Sequence, residues 1–277
     1  MIHKISAEPR VSEKSARLPT LAGIFYPSEA EGLNAALARF FDATVTSVSN
    51  PKGILVPHAG YLYSGPAAAV SYSRITPDFD GTFVLIGTSH QGYTNSVSDI
   101  DWETPIGIVK ADTEFAAAVN LPLDNTAFRR QENSLETQMP FIAYRFPQAK
   151  ITAILMGDQS PQGAASVAAA VLCAVEKTGR NIIVVASGDG SHYVPAKKAE
   201  TDDLTCLAAL KNLDVNAFYD ALYAIQPSMC GYGCLAATAE IGKALGASET
   251  RVLTYTTSGD ASGDYESVVG YASAEVI

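Results

Sequence analysis

Three of the chain's four histidines stand at the ends of short apolar runs. GILVPHAG carries His58, TFVLIGTSH ends on His90, and NIIVVASGDGSH ends on His192. Brief β-branched runs bounded by Gly and Pro read as buried strands of a parallel sheet. Open α/β sheets bind ligands beyond the carboxyl ends of such strands. Three imidazoles at three strand ends can therefore meet in one crevice, as a metal site, an acid/base site or both. Two histidines and one anionic ligand would hold a divalent transition metal and leave coordination positions open. A carboxylate third ligand gives the facial arrangement of non-haem iron, whereas a thiolate suits zinc, copper or ferrous iron. Cys230, Asp189, Glu132 and Asp260 are the candidates for that third position.

Other residues could serve the same crevice. Asp189 lies three residues before His192, and a carboxylate there can fix the imidazole's tautomer or raise its pKa. Glu132 and Glu136 in QENSLETQ are spaced to share one helix face, for which a solvated face is the plainer expectation. Tyr61, Tyr63, Tyr93 and Tyr193 follow predicted strands closely and could line a pocket for an organic substrate. GTSH and SGDGS lack both the P-loop lysine spacing and the G-x-S-x-G elbow. Of the four cysteines, Cys173 and Cys206 fall at apolar positions of predicted helices. Cys230 and Cys234 lie in PSMCGYGCLAATAEI, a glycine-interrupted turn before a helix, where thiol chemistry is better placed.

The elements that must hold these residues are legible as alternation. Strands are predicted at 53–57, 83–87, 151–158, 181–189 and 251–260, with SVVGYASAEVI as a last edge strand. Ser28 reads as a helix N-cap with Glu31 as its capping-box partner. HAGYLYSGP reads as a loop before a helix in AAAVSYSRI, and residues 92–112 as irregular or antiparallel structure. Asp112 is a predicted cap. A long helix is expected from Ser160-Pro161 to Gly179, and QENSLETQMPFIAYRF reads as helical. Helices fill 199–246 around a turn at 228–233. Strands alternating with helices predict a single α/β domain over residues 19–277, with a central mostly parallel or mixed sheet flanked by helices, behind a flexible arm of residues 1–18.

Composition sets the outer bounds. With 47% apolar and 17% charged residues in 277, a sizeable core is expected and disorder is not. A net charge of −10 argues against nucleic acid or an anionic membrane as partner, since both require a basic face. The polar N-terminus lacks a signal-peptide apolar region, and no run nears the ~18 apolar residues of a membrane span. A cytoplasmic location with reduced thiols is the expectation.

Several blocks in order carry a resemblance: LAGIFYP (21–27), VPHAGYLYSG (56–65), LIGTSHQGY (85–93), W-x-TP-x-G (102–107), ENSLETQMPF (132–141), ILMGDQ (154–159), SGDGSHY (187–193), MCGYG (229–233) and SGDASGDYESVVGYAS (258–273). From about residue 17 onward the chain resembles the Memo-like family, the B component of the AmmeMemoRadiSam system. That family is similar in fold to class III extradiol dioxygenases, which hold Fe(II) with two histidines and a glutamate and use a further histidine as acid/base. The resemblance implies His58 and His90 as imidazole ligands and Cys230 where the dioxygenases place their glutamate. It implies His192 as the acid/base group with Asp189 beside it. A thiolate in place of a carboxylate changes the metal's electronics, so dioxygenase activity does not follow from fold. The family's Glu-His-Ser is here Glu132-Asn133-Ser134, which removes whatever that histidine does.

The resulting expectation is a metal-dependent oxidoreductase of dioxygenase type. Fe(II) or copper would sit on His58, His90 and Cys230, with His192 and Asp189 moving protons and Tyr61, Tyr193 and Glu132 contacting a small organic substrate. A non-catalytic peptide- or metal-binding adaptor using the same crevice is the alternative, and zinc-dependent hydrolysis a third. The resemblance further implies an AMMECR-type protein and a radical-SAM protein as partners.

Overall fold

The computed structural model describes residues 16–44, 47–130 and 132–277. The elements are α1 (Ala30–Asp42), β1 (Gly53–Val56), α2 (Tyr61–Tyr72), β2 (Thr82–Thr88), β3 (Ser96–Ser98), β4 (Trp102–Thr104), β5 (Gly107–Ala111), α3 (Thr113–Ala118), α4 (Asn125–Phe128), α5 (Asn133–Glu136), α6 (Met139–Arg145) and β6 (Lys150–Met156), followed by α7 (Pro161–Thr178), β7 (Ile182–Ser187), β8 (His192–Val194), α8 (Ala196–Ala209), α9 (Val215–Ile225), α10 (Tyr232–Ala244), β9 (Thr250–Thr257), α11 (Gly259–Ser262) and β10 (Val268–Val276). The described strands form one mixed ten-stranded sheet in the order β4-β5-β6-β2-β7-β1-β10-β8, with β3 on β6 and β9 on β10.

The centre of this sheet is parallel: β6 pairs with β2, β2 with β7, and β7 with β1. These strands are apolar on both faces because both are covered. Ile54, Val56, Phe83, Leu85, Ile183 and Val185 pack with α1, α2 and α6. Their neighbours Leu55, Val84, Ile86, Val184 and Ala186 pack with α3, α7 and α10. The period-2 alternation of the strand sends successive side chains into opposite layers, which is why the runs read as continuously hydrophobic.

Helix signals were mostly local. Asp112 accepts from the Phe115 N–H, Ser160 accepts from the Gly163 N–H, and Gly179 ends α7 in a left-handed conformation. Ser28 differs from expectation: the N-cap of α1 is Glu29, without a side-chain bond, and the Ser28 hydroxyl donates to the Glu29 carboxylate. The loop after His58 is also shorter than expected. Only Ala59 and Gly60 separate it from α2, which starts at Tyr61.

Two further corrections concern the sheet and the N-terminal segment. The tail strand β10 is not an edge. It pairs with β9 on one side and, on the other, with β1 and, past the end of β1, with β8. Small residues at 270, 272, 273 and 274 let helices close over it, so its burial is nearly complete. Residues 1–15 of the expected arm lie outside the described residues. Arg17 at its end is buried, with its guanidinium against Glu136 and over the Trp102 ring.

Candidate metal centre

Three adjacent strands, β1, β7 and β2, end side by side. Val56, Ser187 and Gly87 stand in one row of the ladder. His58 and Asp189 each lie two residues beyond their strand, and His90 two beyond Thr88. Strands spaced by about 4.8 Å deliver such residues to a common rim. The rings of His58 and His90 meet edge to face, 5.3 Å apart at 88°.

Cys230 reaches the same rim from the turn before α10. Its backbone N–H donates to the Asp189 carbonyl at 3.2 Å, and its sulfur accepts the Asp189 N–H at 3.3 Å. Two glycines permit this approach. A Cβ on Gly188 would stand 2.8 Å from the Cys230 carbonyl oxygen, and one on Gly231 would stand 2.5 Å from that of Ser187. Gly231 also has φ of 69°, which favours glycine. The Cys230 sulfur lies 3.2 Å from His58 Nε2. One donor atom from each of His58, His90 and Cys230 falls within 4.8 Å of the others, and a second such group joins Asp189, His192 and Cys230. Cys230 is common to both.

The imidazoles are held from behind. Glu132 binds His90 twice: Oε2 accepts the backbone N–H at 2.8 Å and Oε1 accepts Nδ1–H at 2.7 Å. His192 donates Nδ1–H to the Ser228 carbonyl at 2.8 Å, and its N–H goes to the Ser228 hydroxyl at 2.7 Å. Carboxylate and carbonyl oxygens only accept, so both rings carry a proton on Nδ1, and in the neutral ring the lone pair is on Nε2. Asp189 Oδ1 accepts the His58 N–H at 2.7 Å, with Oδ2 3.8 Å from His58 Nε2. His58 Nδ1 lies 3.0 Å from the Ser187 hydroxyl, which can donate or accept.

Charge follows from these contacts. Burial lowers His58 from its ordinary value against the pull of Asp189, so the ring is neutral near pH 7. The hydrogen bond that its ring donates to Glu132 raises His90. Burial pushes Glu132 up, but the His90 bond and charge and the Ser134 N–H outweigh it and hold the carboxyl below its usual range. Burial, with the Asp189 charge, pushes the Cys230 thiol well above its ordinary value. A bound cation would reverse that last effect, since a coordinating thiol loses its proton. Two imidazole lone pairs and one sulfur on a shared rim fit a soft or borderline transition metal.

The expected contacts of Glu132 and Tyr61 with substrate are not what their surroundings provide. Glu132 is 2% exposed, and both its oxygens are occupied by donors. Glu136 is likewise buried, not on a solvated face. Tyr61 packs among Tyr26, Phe40 and Phe141 and donates its hydroxyl to the Thr137 carbonyl at 2.6 Å. Tyr193 is 79% exposed beside His192, in a left-handed conformation with φ of 58°. Asp260 is exposed on α11, where it accepts the Thr257 N–H. Cys234 and Cys206 are fully buried in helices. Ser187, Ser228 and Gln138, which the sequence did not single out, contact the imidazoles or their partners.

A sequence profile of the Memo-like protein family matches residues 17–275. The chain belongs to that family. A MEMO1 family protein of Methanosarcina barkeri is 39% identical over 262 residues, covering 92% of this chain and 98% of that protein. One of Archaeoglobus fulgidus is 40% identical over 261 residues, with 92% and 97% covered. One of Methanocaldococcus jannaschii is 36% identical over 283 residues, with 94% and 98% covered. The mixed α/β sheet flanked by helices is the architecture the Memo-like resemblance implies.

Since the three described groups that face Glu132 are N–H donors, this Memo-like chain needs an acceptor at both of its oxygens. Glu132→Gln turns one acceptor into an NH2 that opposes a donor. Metal affinity is expected to fall about 10- to 100-fold, the usual cost of losing a partner behind a ligand. Chelator competition measures it, and an unchanged affinity removes Glu132 from the support of His90.

Proposed function

We propose that this Memo-like protein is a metal-dependent redox enzyme, with Fe(II) or copper held by His58, His90 and Cys230. The observation that carries this reading is the convergence of these three donors at the ends of β1 and β2 and at the turn before α10. A metal on two imidazoles and a thiolate supplies Lewis acidity and one-electron chemistry at its open positions. His192 stands beside Cys230 with its Nε2 lone pair free to take a proton from a bound substrate and return it. Asp189 holds the His58 backbone and the Cys230 sulfur in register and adds negative charge to the rim. Tyr193 stands exposed next to His192, where a small organic substrate would pass.

Two measurements test the reading. The metal content of the purified protein is expected to include iron or copper in near-stoichiometric amount; zinc alone would favour hydrolysis. Oxygen uptake by metal-loaded protein with a panel of catechols tests turnover. His192→Gln is expected to keep the metal and lower turnover by roughly 10²- to 10⁴-fold, the range attached to one acid/base group. Full activity in that variant would remove His192 from proton transfer. Stoichiometric metal with no turnover on any substrate would instead favour the adaptor reading, in which the crevice binds a peptide or metal without chemistry.

A further inference from the structure

His58 differs from the other two site histidines in its partner. A carboxylate and a carbonyl decide the tautomers of His90 and His192, but a hydroxyl faces His58 Nδ1. If the Ser187 hydroxyl donated to Nδ1, the ring proton would sit on Nε2, facing Cys230, and that nitrogen could bind no metal. The residues around Ser187 settle which way its proton points.

Ser187 closes β7 and stands between β1 and β2, directly under the rim. Its oxygen has three neighbours: the Ser134 carbonyl, the Gln138 amide nitrogen at 3.1 Å and His58 Nδ1 at 3.0 Å. The Ser134 carbonyl can only accept and lies in very short contact. A carbonyl in contact with a hydroxyl is met by that hydroxyl's proton, so the single Ser187 proton goes there. The Gln138 amide is oriented independently. Its nitrogen donates to the Pro57 carbonyl at 3.1 Å, and its oxygen accepts from the Tyr72 hydroxyl at 3.0 Å. The same nitrogen presents its second hydrogen to Ser187 at 3.1 Å, nearer than its remaining neighbour, the Thr137 hydroxyl at 3.4 Å. With its proton committed and one lone pair taken by Gln138, the Ser187 oxygen keeps one lone pair, aimed at His58 Nδ1. Ser187, Gln138 and Tyr72 are fully buried, so an unpaired group here carries its whole desolvation cost.

We infer that Ser187, oriented by Gln138 and Ser134, is a positioning residue that locks His58 in the Nδ1–H tautomer and so turns the Nε2 lone pair toward Cys230. All three site imidazoles then share one tautomer, with their lone pairs on Nε2. Without a metal, the Cys230 thiol proton can rest on the His58 lone pair at 3.2 Å. The inference deepens the proposed metal centre, but it describes the metal-free protein and can be tested there.

The test is a long-range ¹H–¹⁵N spectrum of the imidazoles in full-length, metal-free, ¹⁵N-histidine-labelled protein, with His58 assigned by its loss in His58→Gln. The expected result is His58 with its proton on Nδ1. A proton on Nε2 in the wild-type chain overturns the inference with no variant needed. In Ser187→Ala the Nδ1 proton loses its acceptor, and the Nε2–H form is expected to gain population. An unchanged tautomer in that variant overturns the role of Ser187. Ser187→Thr keeps the hydroxyl and is expected to restore the wild-type signature, whereas a loss through packing alone would leave the tautomer untouched. Metal affinity in Ser187→Ala should fall about 10- to 100-fold by chelator competition. A protein that shows the Nδ1–H signature yet binds no iron or copper refutes the proposed function alone. One that binds metal with His58 as Nε2–H in the free state refutes this inference alone.

Discussion

His58→Ala, expressed beside the wild type under the same metal supply, is expected to emerge nearly metal-free. His58 Nε2 and the Cys230 sulfur stand 3.2 Å apart, and both are largely shielded from water. Asp189 Oδ2, a donor of the second group, stands 3.8 Å from the imidazole nitrogen that is lost, and its partner oxygen is committed to the His58 backbone N–H, so it does not take that nitrogen's place. Loss of a direct ligand should exceed the roughly 10- to 100-fold cost of losing a partner behind it. Cys230→Ala is expected to behave alike. Cys206→Ala is the control: that thiol is buried in α8, pushed up to about 11 by burial and the nearby Asp203 and Asp202 charges, and belongs to neither donor group of the rim. Elemental analysis of the three proteins decides the matter. Wild-type metal content in His58→Ala would remove His58 from the ligand set, and depletion in Cys206→Ala would show that metal content tracks folding instead.

What the sequence disclosed depended on how local each cause was. The parallel strands and the histidines after them were readable because burial on both faces leaves unbroken apolar runs, and the chain leaves such a strand at a Gly or Pro. Asp112, Ser160 and Gly179 were readable because a cap acts within one turn. Cys230 was different. Spacing left it level with three carboxylates, and the resemblance alone preferred it, since a turn 140 residues after His90 joins that rim only through the Gly188–Gly231 contact. Glu132 was misjudged for the same reason. Its helix α5 is a single turn whose placement comes from packing on β2, where a Cβ at Gly87 would stand 2.6 Å from the Ser134 hydroxyl. That bare glycine in a run of large apolar residues was the available signal. The tail strand was misplaced because a strand's partners across the sheet leave no local mark in its own residues. Here its small residues are spacers under α2 and α8, and its Glu275 is buried by pairing with Arg74.

Arg17→Ala is expected to destabilise the protein by about 3–5 kcal/mol, the usual cost of orphaning one partner of a buried ion pair. Arg17 and Glu136 are each 1% exposed at the side chain and meet at 2.5 Å. Neither has slack. The guanidinium also donates to the carbonyls of Phe128 at 2.6 Å and Arg130 at 3.0 Å. Glu136 accepts from Thr20, from the Leu21 N–H and from the Tyr26 hydroxyl, at 2.8, 2.7 and 2.7 Å. The pair therefore ties the segment at 17–26 to α5, one turn from the Glu132 that holds His90. Arg17→Lys should fall short of rescue, since the three N–H groups of one ammonium cannot serve five acceptors, the carbonyls of Leu18, Phe128 and Arg130, Thr20 Oγ1 and Glu136 Oε2, spread around a planar fork. Arg17→Met combined with Glu136→Leu should cost less than the sum of the single changes, because it removes both charges together. Chemical denaturation of the four proteins measures the coupling. A loss under 1 kcal/mol in Arg17→Ala would mean that water reaches Glu136 and that the ion pair is no strut. A full loss with unchanged metal affinity would separate the stability of this corner from the centre it adjoins. The geometry predicts the opposite, because Glu132 and Glu136 ride on the same helical turn and a shift that releases one loosens the grip of the other on His90.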